Sequence, residues 1–109
     1  MKSMALMVGA LAAFCAAGAS TAMAKPARCF TTDDGHYPCD FKGPDRQGSF
    51  EIKAKGFPTY TLWIESPGTA AGFVNFGDRN VALPGTFRRE AADRACWAND
   101  ETQTRICVW

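Results

Sequence analysis

The chain has 109 residues, 12 Lys and Arg against 11 Asp and Glu, and one histidine. That length holds one domain. The near-even charge balance supplies no basic excess or stripe, so neither a nucleic-acid partner nor electrostatic binding to a membrane surface is expected.

The first residues have the layout of a secretory signal. Lys2 gives the positive charge, residues 4–17 are apolar apart from Gly9, and Ala22-Met23-Ala24 has the small-x-small pattern of a cleavage site. The apolar run is shorter than the roughly 20 residues of a spanning helix, so cleavage is expected rather than anchorage. The expected cut follows Ala24, with Ala22 as the nearest competitor. Cys15 lies inside the run behind bulky Phe14, where a lipidated cysteine would follow a small residue, so it leaves with the signal. Residues 25–109 then form a single small β domain of 85 residues, with eleven basic and eleven acidic side chains once Lys2 is gone. A periplasmic or secreted location without stable membrane insertion follows as the expectation.

Four cysteines remain, Cys29, Cys39, Cys96 and Cys107, and an even number in a short exported chain reads as a disulfide framework. A zinc site would show close pairs such as C-x-x-C, and these gaps are long. No metal or other cofactor is therefore expected. Asp33-Asp34-Gly35 suits a three-residue hairpin loop with Gly35 left-handed. Centring that loop on Asp34 sets Cys29 opposite Cys39. Centring a second turn between Glu101 and Thr102 sets Cys96 opposite Cys107. Opposed cysteines on antiparallel strands can bridge, which favours these two pairs over long-range bridges tying the termini together.

Farther along, Asp45-Arg46-Gln47-Gly48-Ser49 lacks the ligand pattern of a calcium loop and reads as a turn. Phe50, Ile52 and Ala54 alternate with Glu51, Lys53 and Lys55, a strand with one wet face. After Gly56-Phe57-Pro58, residues 59–65 place Tyr60, Leu62 and Ile64 on one face and Thr59, Thr61, Trp63 and Glu65 on the other. Ser66-Pro67-Gly68 turns the chain. Residues 70–76 form another strand, with Gly72 as a bulge or close-approach site. Gly77-Asp78-Arg79-Asn80 turns into a short strand at 81–83, Pro84-Gly85 ends it, and 86–88 form another. Residues 89–94 have helical composition but suffice for one helical turn or a loop. The chain closes with the Cys96–Cys107 hairpin. Turns every 8–12 residues mark an all-β sandwich or barrel, here of about five to seven strands.

No catalytic signature appears. His36 lies near Asp33, Asp34 and Asp40, but those aspartates beside Gly35 are what a tight turn uses. Ser49 and Ser66 lack a nucleophile elbow. The cysteines are expected to be oxidised, and a domain this small leaves little volume for a carboxylate cleft. The expectation is a non-enzyme, with a small hydrolase as the remote alternative. The terminal aromatic after alternating apolar residues is an ending that outer-membrane barrels share. A membrane barrel needs at least eight strands of about 9–11 residues plus turns, more than 85 residues with several short strands supply, so Trp109 is expected to pack on the domain.

The aromatics are the better candidates for function. Trp63 falls on the polar face of its strand, and Trp109 falls opposite Ile106 and Val108. The segment Gly72-Phe73-Val74-Asn75-Phe76-Gly77-Asp78-Arg79-Asn80 mixes aromatics, amides and a cation around a turn. Trp63, Phe76, Arg79 and Trp109 are thus the candidate binding residues, since exposed aromatics near charge are typical anchors.

The blocks GSFEI, FPTYTLWI, GFVNFGDRNVALPG and ACWANDETQTRICVW resemble a group of short exported bacterial proteins of unassigned function. The resemblance spans nearly all of residues 25–109 and implies export, two disulfides and a small domain. Small periplasmic lysozyme inhibitors are similar in size and class only, and their Ser-Gly and Tyr motifs are missing here. The function expected is a binding module for a glycan or envelope protein, acting through exposed aromatics and loop polar groups. A structural or stress-related envelope protein is the alternative.

Overall fold

The computed structural model describes residues 24–43 and 45–109, so the expected signal and its cleavage lie outside the described residues apart from Ala24. The described residues form nine strands and no helix: β1 (Lys25–Thr31), β2 (Gly35–Lys42), β3 (Phe50–Lys53), β4 (Thr59–Ser66), β5 (Thr69–Asn75), β6 (Asn80–Ala82), β7 (Phe87–Arg89), β8 (Cys96–Asn99) and β9 (Arg105–Val108). The all-β expectation holds, and of its two architectures the barrel is the one formed. Each strand pairs antiparallel with the next around the ring, and β9 returns to β1 through Cys29↔Val108, Phe30↔Cys107 and Thr31↔Ile106. Eight staves alternate in direction, which is what lets an antiparallel ring close.

The ninth strand, β6, adds no stave of its own. It shares one edge of β5 with β7: Phe73, Val74 and Asn75 pair with β6, while Thr69 and Ala70 pair with β7. In effect one stave is broken in two by Pro84 and Gly85. This corrects the strand count of five to seven. Each candidate strand is present, but turn spacing undercounts when two of the strands are only three residues long.

Alternation decides what fills the barrel. Ile52, Leu62, Phe87 and Ile106 are fully buried, and Trp97 is 2% exposed. An eight-stranded ring is just wide enough for side chains to fill it. Two buried polar side chains are satisfied structurally. Ser49 Oγ accepts from Ile64 N at 2.8 Å, beside a register shift between Ile64 and Ser66. It pairs an amide that the irregularity frees from the ladder. Asn99 donates to Pro84 O (2.7 Å) and accepts from Glu101 N and Thr102 N (2.8 and 2.9 Å), tying the hairpin turn to the break between β6 and β7.

Both expected disulfides are formed, with Cα–Cα separations of 5.9 Å for Cys29–Cys39 and 4.0 Å for Cys96–Cys107. Cys96 lies directly opposite Cys107, as the turn centring predicts. The first hairpin differs in register. Cys29 pairs with Tyr37 and Cys39 with Ala27, so the bridge runs diagonally. The loop is Thr32-Asp33-Asp34, and Gly35, with φ 73°, is already the first residue of β2 opposite Thr31. Thr31 Oγ1 accepts from Asp34 N at 3.1 Å and closes the turn one residue earlier than the sequence suggested. The two bridges also face opposite ways. Cys29 and Cys39 belong to the core cluster. Cys96 and Cys107 flank the inward Trp97↔Ile106 pair and therefore point outward, fully buried, beside a loop at 90–95.

Candidate functional site

The outward positions of β3, β4, β5 and β6 form one side of the barrel. Strand register sets them in rows: Glu51, Thr61, Phe73 and Ala82 run across the sheet, Thr59, Asn75 and Asn80 lie above, and Trp63 and Ala71 lie below. Period-2 alternation alone puts these residues outside, because their neighbours Ile52, Tyr60, Leu62 and Val74 are buried in the core. Trp63 is 50% exposed and Phe76, in the β5–β6 turn, 72% exposed.

Trp63 and Phe73 line a shallow depression of about 570 Å³, and Phe57 and Phe76 line a second of about 390 Å³. Glu51, Thr61 and Asn80 belong to both, so the two are one continuous face with a polar floor and aromatic ends. Asn75 holds the upper end in shape: its Oδ1 accepts from Gly77 N at 2.7 Å and its Nδ2 donates to Asn80 Oδ1 at 3.1 Å. The Asn80 amide N–H groups donate to nothing among the described residues.

Of the four sequence candidates, Trp63 and Phe76 are brought to this face. Arg79 is exposed in the adjoining turn and lines neither depression. Trp109 lies on the opposite side of the ring, where β9 meets β1. There Arg28 sits 5.4 Å from its ring centre, His36 stacks on it at 5.7 Å, and its Nε1 donates to Asp93 Oδ2 at 3.2 Å. With these partners Trp109 clasps the seam of the barrel. His36 is taken up in this stack and in a contact with Phe30. Among the described residues no group of three or more His, Cys, Asp or Glu could hold a metal ion. Sequence reading passed over Glu51 and Lys53 as a generic wet face. Their signal was the pairing of β3 with β4, which sets their outward side chains beside Thr61 and Thr59.

At the upper mouth of the barrel Asp34 gathers hydroxyls, accepting from Thr31 Oγ1 at 3.1 Å and Tyr60 Oη at 3.4 Å. Tyr37 Oη is buried without a hydrogen-bond partner among the described residues. Burial, and then the nearby Asp34 charge, push the Tyr37 phenol up to about 12 and raise Tyr60 as well. A phenol whose folded value is raised stabilises the fold fully below its unfolded value near 10, and that contribution is lost as pH climbs toward 12. Denaturation midpoints are therefore expected to fall steeply between about pH 10 and 12. Tyr37→Phe is expected to flatten that fall; an unchanged slope in the variant would exclude Tyr37 as its source.

No helix of the described residues is long and apolar enough to cross a membrane. The chain matches no family model, no curated protein and no solved structure.

Proposed function

We propose that this chain is an exported binding module that recognises a glycan on the outer face of β3, β4, β5 and β6. The observation that carries the reading is the pairing of Trp63 and Phe76 at the ends of one polar-floored depression. Sugar rings present apolar C–H faces and hydroxyl edges. Aromatic faces suit the first, and Glu51, Thr61 and Asn80 suit the second. The concavity volumes fall in the range of small-molecule sites. Glu51 is the one carboxylate lining this face, whereas glycoside hydrolysis ordinarily needs two flanking the bond, which favours binding over cleavage.

Two disulfides favour an oxidising compartment, so the periplasm or the exterior is the proposed location. The ring has eight staves, the number in the smallest membrane barrels. Their lengths, three to eight residues, still fall below the 9–11 of a spanning strand, which favours a barrel in water.

A glycan array probed with disulfide-intact protein tests the reading. Trp63→Ala and Phe76→Ala are each expected to weaken a bound glycan about tenfold or more, the scale of a lost aromatic anchor. Trp109→Phe is expected to leave it unchanged. No glycan bound, or binding indifferent to both alanine variants, would overturn the assignment. A protein captured from envelope extract only when Trp63 is intact would redirect it to a protein partner.

A further inference from the structure

The lower mouth of the barrel, bounded by residues 45–49, 66–68 and 90–95, holds a concavity of about 460 Å³ that shares no lining residue with the aromatic face. Arg89 and Arg94 line it, and Trp97 lies at its base. Arg89 ends β7, with its N–H donating to Gly68 O at 3.0 Å and its guanidinium 4.9 Å from the Trp97 ring centre. The indole, 2% exposed, is a fixed surface that restricts the Arg89 head. The loop carrying Arg94 is fixed on its far side, where Asp93 O accepts from Cys96 N at 2.9 Å and the Asp93 carboxylate accepts from Ala95 N at 3.0 Å.

Neighbouring acids are engaged elsewhere. Glu90 pairs with Arg105 at 2.7 Å, Asp100 with Arg88 at 3.4 Å, and Asp93 receives Trp109 Nε1. Arg89 and Arg94 form no ion pair among the described residues. Glu65 is the single acid lining the concavity, so two arginines and one acid line it.

We propose that this mouth binds the oxyanion group, carboxylate or phosphate, of a hydroxyl-bearing small ligand. Arg89 and Arg94 hold the anion, since the guanidinium fork matches such oxygens in pairs. Glu65 accepts from hydroxyls beside it. The inference does not rest on the aromatic face.

The test follows the assigned Trp97 indole N–H signal of the disulfide-intact protein during titration with glucuronate, glucose 6-phosphate and neutral glucose. Saturable shifts with one or both anions, and none with glucose, are expected. A response to glucuronate alone assigns a carboxylate, and one to the phosphate alone assigns a phosphate. Arg89→Gln and Arg94→Gln are each expected to weaken binding at least tenfold. Glu65→Gln, which keeps a carbonyl acceptor for the hydroxyls but removes the charge that repels the anion, is expected to tighten it several-fold and so gives a gain that loss of fold cannot imitate. No shift with either anion, an equal shift with glucose, or binding that survives in the double arginine variant would overturn the proposal.

Discussion

Reduction of both disulfides is expected to lower the melting temperature by roughly 20 °C or more. The bridges span 10 and 11 residues in sequence. On the chain-entropy model each such loop contributes roughly 2.7 kcal/mol. A core in a chain of this size seldom supplies more than about 3–5 kcal/mol of net stability, so losing both removes a comparable amount. Thermal unfolding with and without reductant, under conditions shown to break both bonds, measures the effect. Coincident curves would exclude a stabilising role.

The two bridges can also be separated. Their loop lengths differ by one residue, so their entropic terms should agree within about 0.1 kcal/mol. Their surroundings do not agree. Cys29 and Cys39 lie in the core cluster with Tyr37, Ile52 and Ile106, whereas Cys96 and Cys107 are outside it. Cys29→Ala with Cys39→Ala is therefore expected to lose about 1 kcal/mol more than Cys96→Ala with Cys107→Ala, through the cavity left in the barrel. The second variant is expected instead to release the loop at 90–95, seen as faster amide exchange at Ala95 and Cys96. Equal losses without local exchange would show that packing around the bridges contributes nothing.

What the sequence revealed follows the reach of its physics. Alternation is local, so the buried faces of residues 50–54 and 59–65 and the exposure of Trp63 were all readable from neighbours two apart. The hairpin bridges were readable because each joins strands adjacent in the chain. The diagonal register of Cys29 and Cys39 was not, because it depends on whether Gly35 acts as loop or strand, and the Thr31–Asp34 hydrogen bonds decide that. Ring closure was hidden too. The β1–β9 ladder pairs residues more than 70 positions apart, and no local pattern announces it. The partners of Trp109 were hidden for the same reason: Arg28 and His36 reach it only once the ring is shut. The lower mouth escaped notice because Arg89 and Arg94 sit in a stretch of helical composition. Pairing of Arg89 with Trp97 extends β7 to that residue and leaves the rest as loop, which puts both arginines at one concavity.

Gly72 leaves no room for a side chain inside the barrel. It sits on the inner face of β5 opposite Leu62, and a Cβ there would lie 2.9 Å from Phe87 Cδ1 and 3.3 Å from Leu62 Cδ2. Phe87 is fully buried, so its ring has no solvent side to retreat to. Within a strand, alanine is ordinarily better than glycine by about 0.5–1 kcal/mol. Here Gly72→Ala is expected to destabilise by about 1–3 kcal/mol, because overpacking outweighs that gain. Phe87→Ala is expected to cost about 3–5 kcal/mol, as truncation of a buried aromatic does. The sharper measurement is a double-mutant cycle. Phe87→Leu withdraws the ring edge that the new methyl would meet, so Gly72→Ala with Phe87→Leu should lose less than the two single losses combined, by at least about 0.5 kcal/mol. Chemical denaturation of the four proteins measures the coupling. Additive losses would mean that Phe87 does not rest on the bare backbone of Gly72. A positive coupling would tie the missing side chain to the fold, since Phe87 fills the ring where β7 takes over from β6 along the edge of β5.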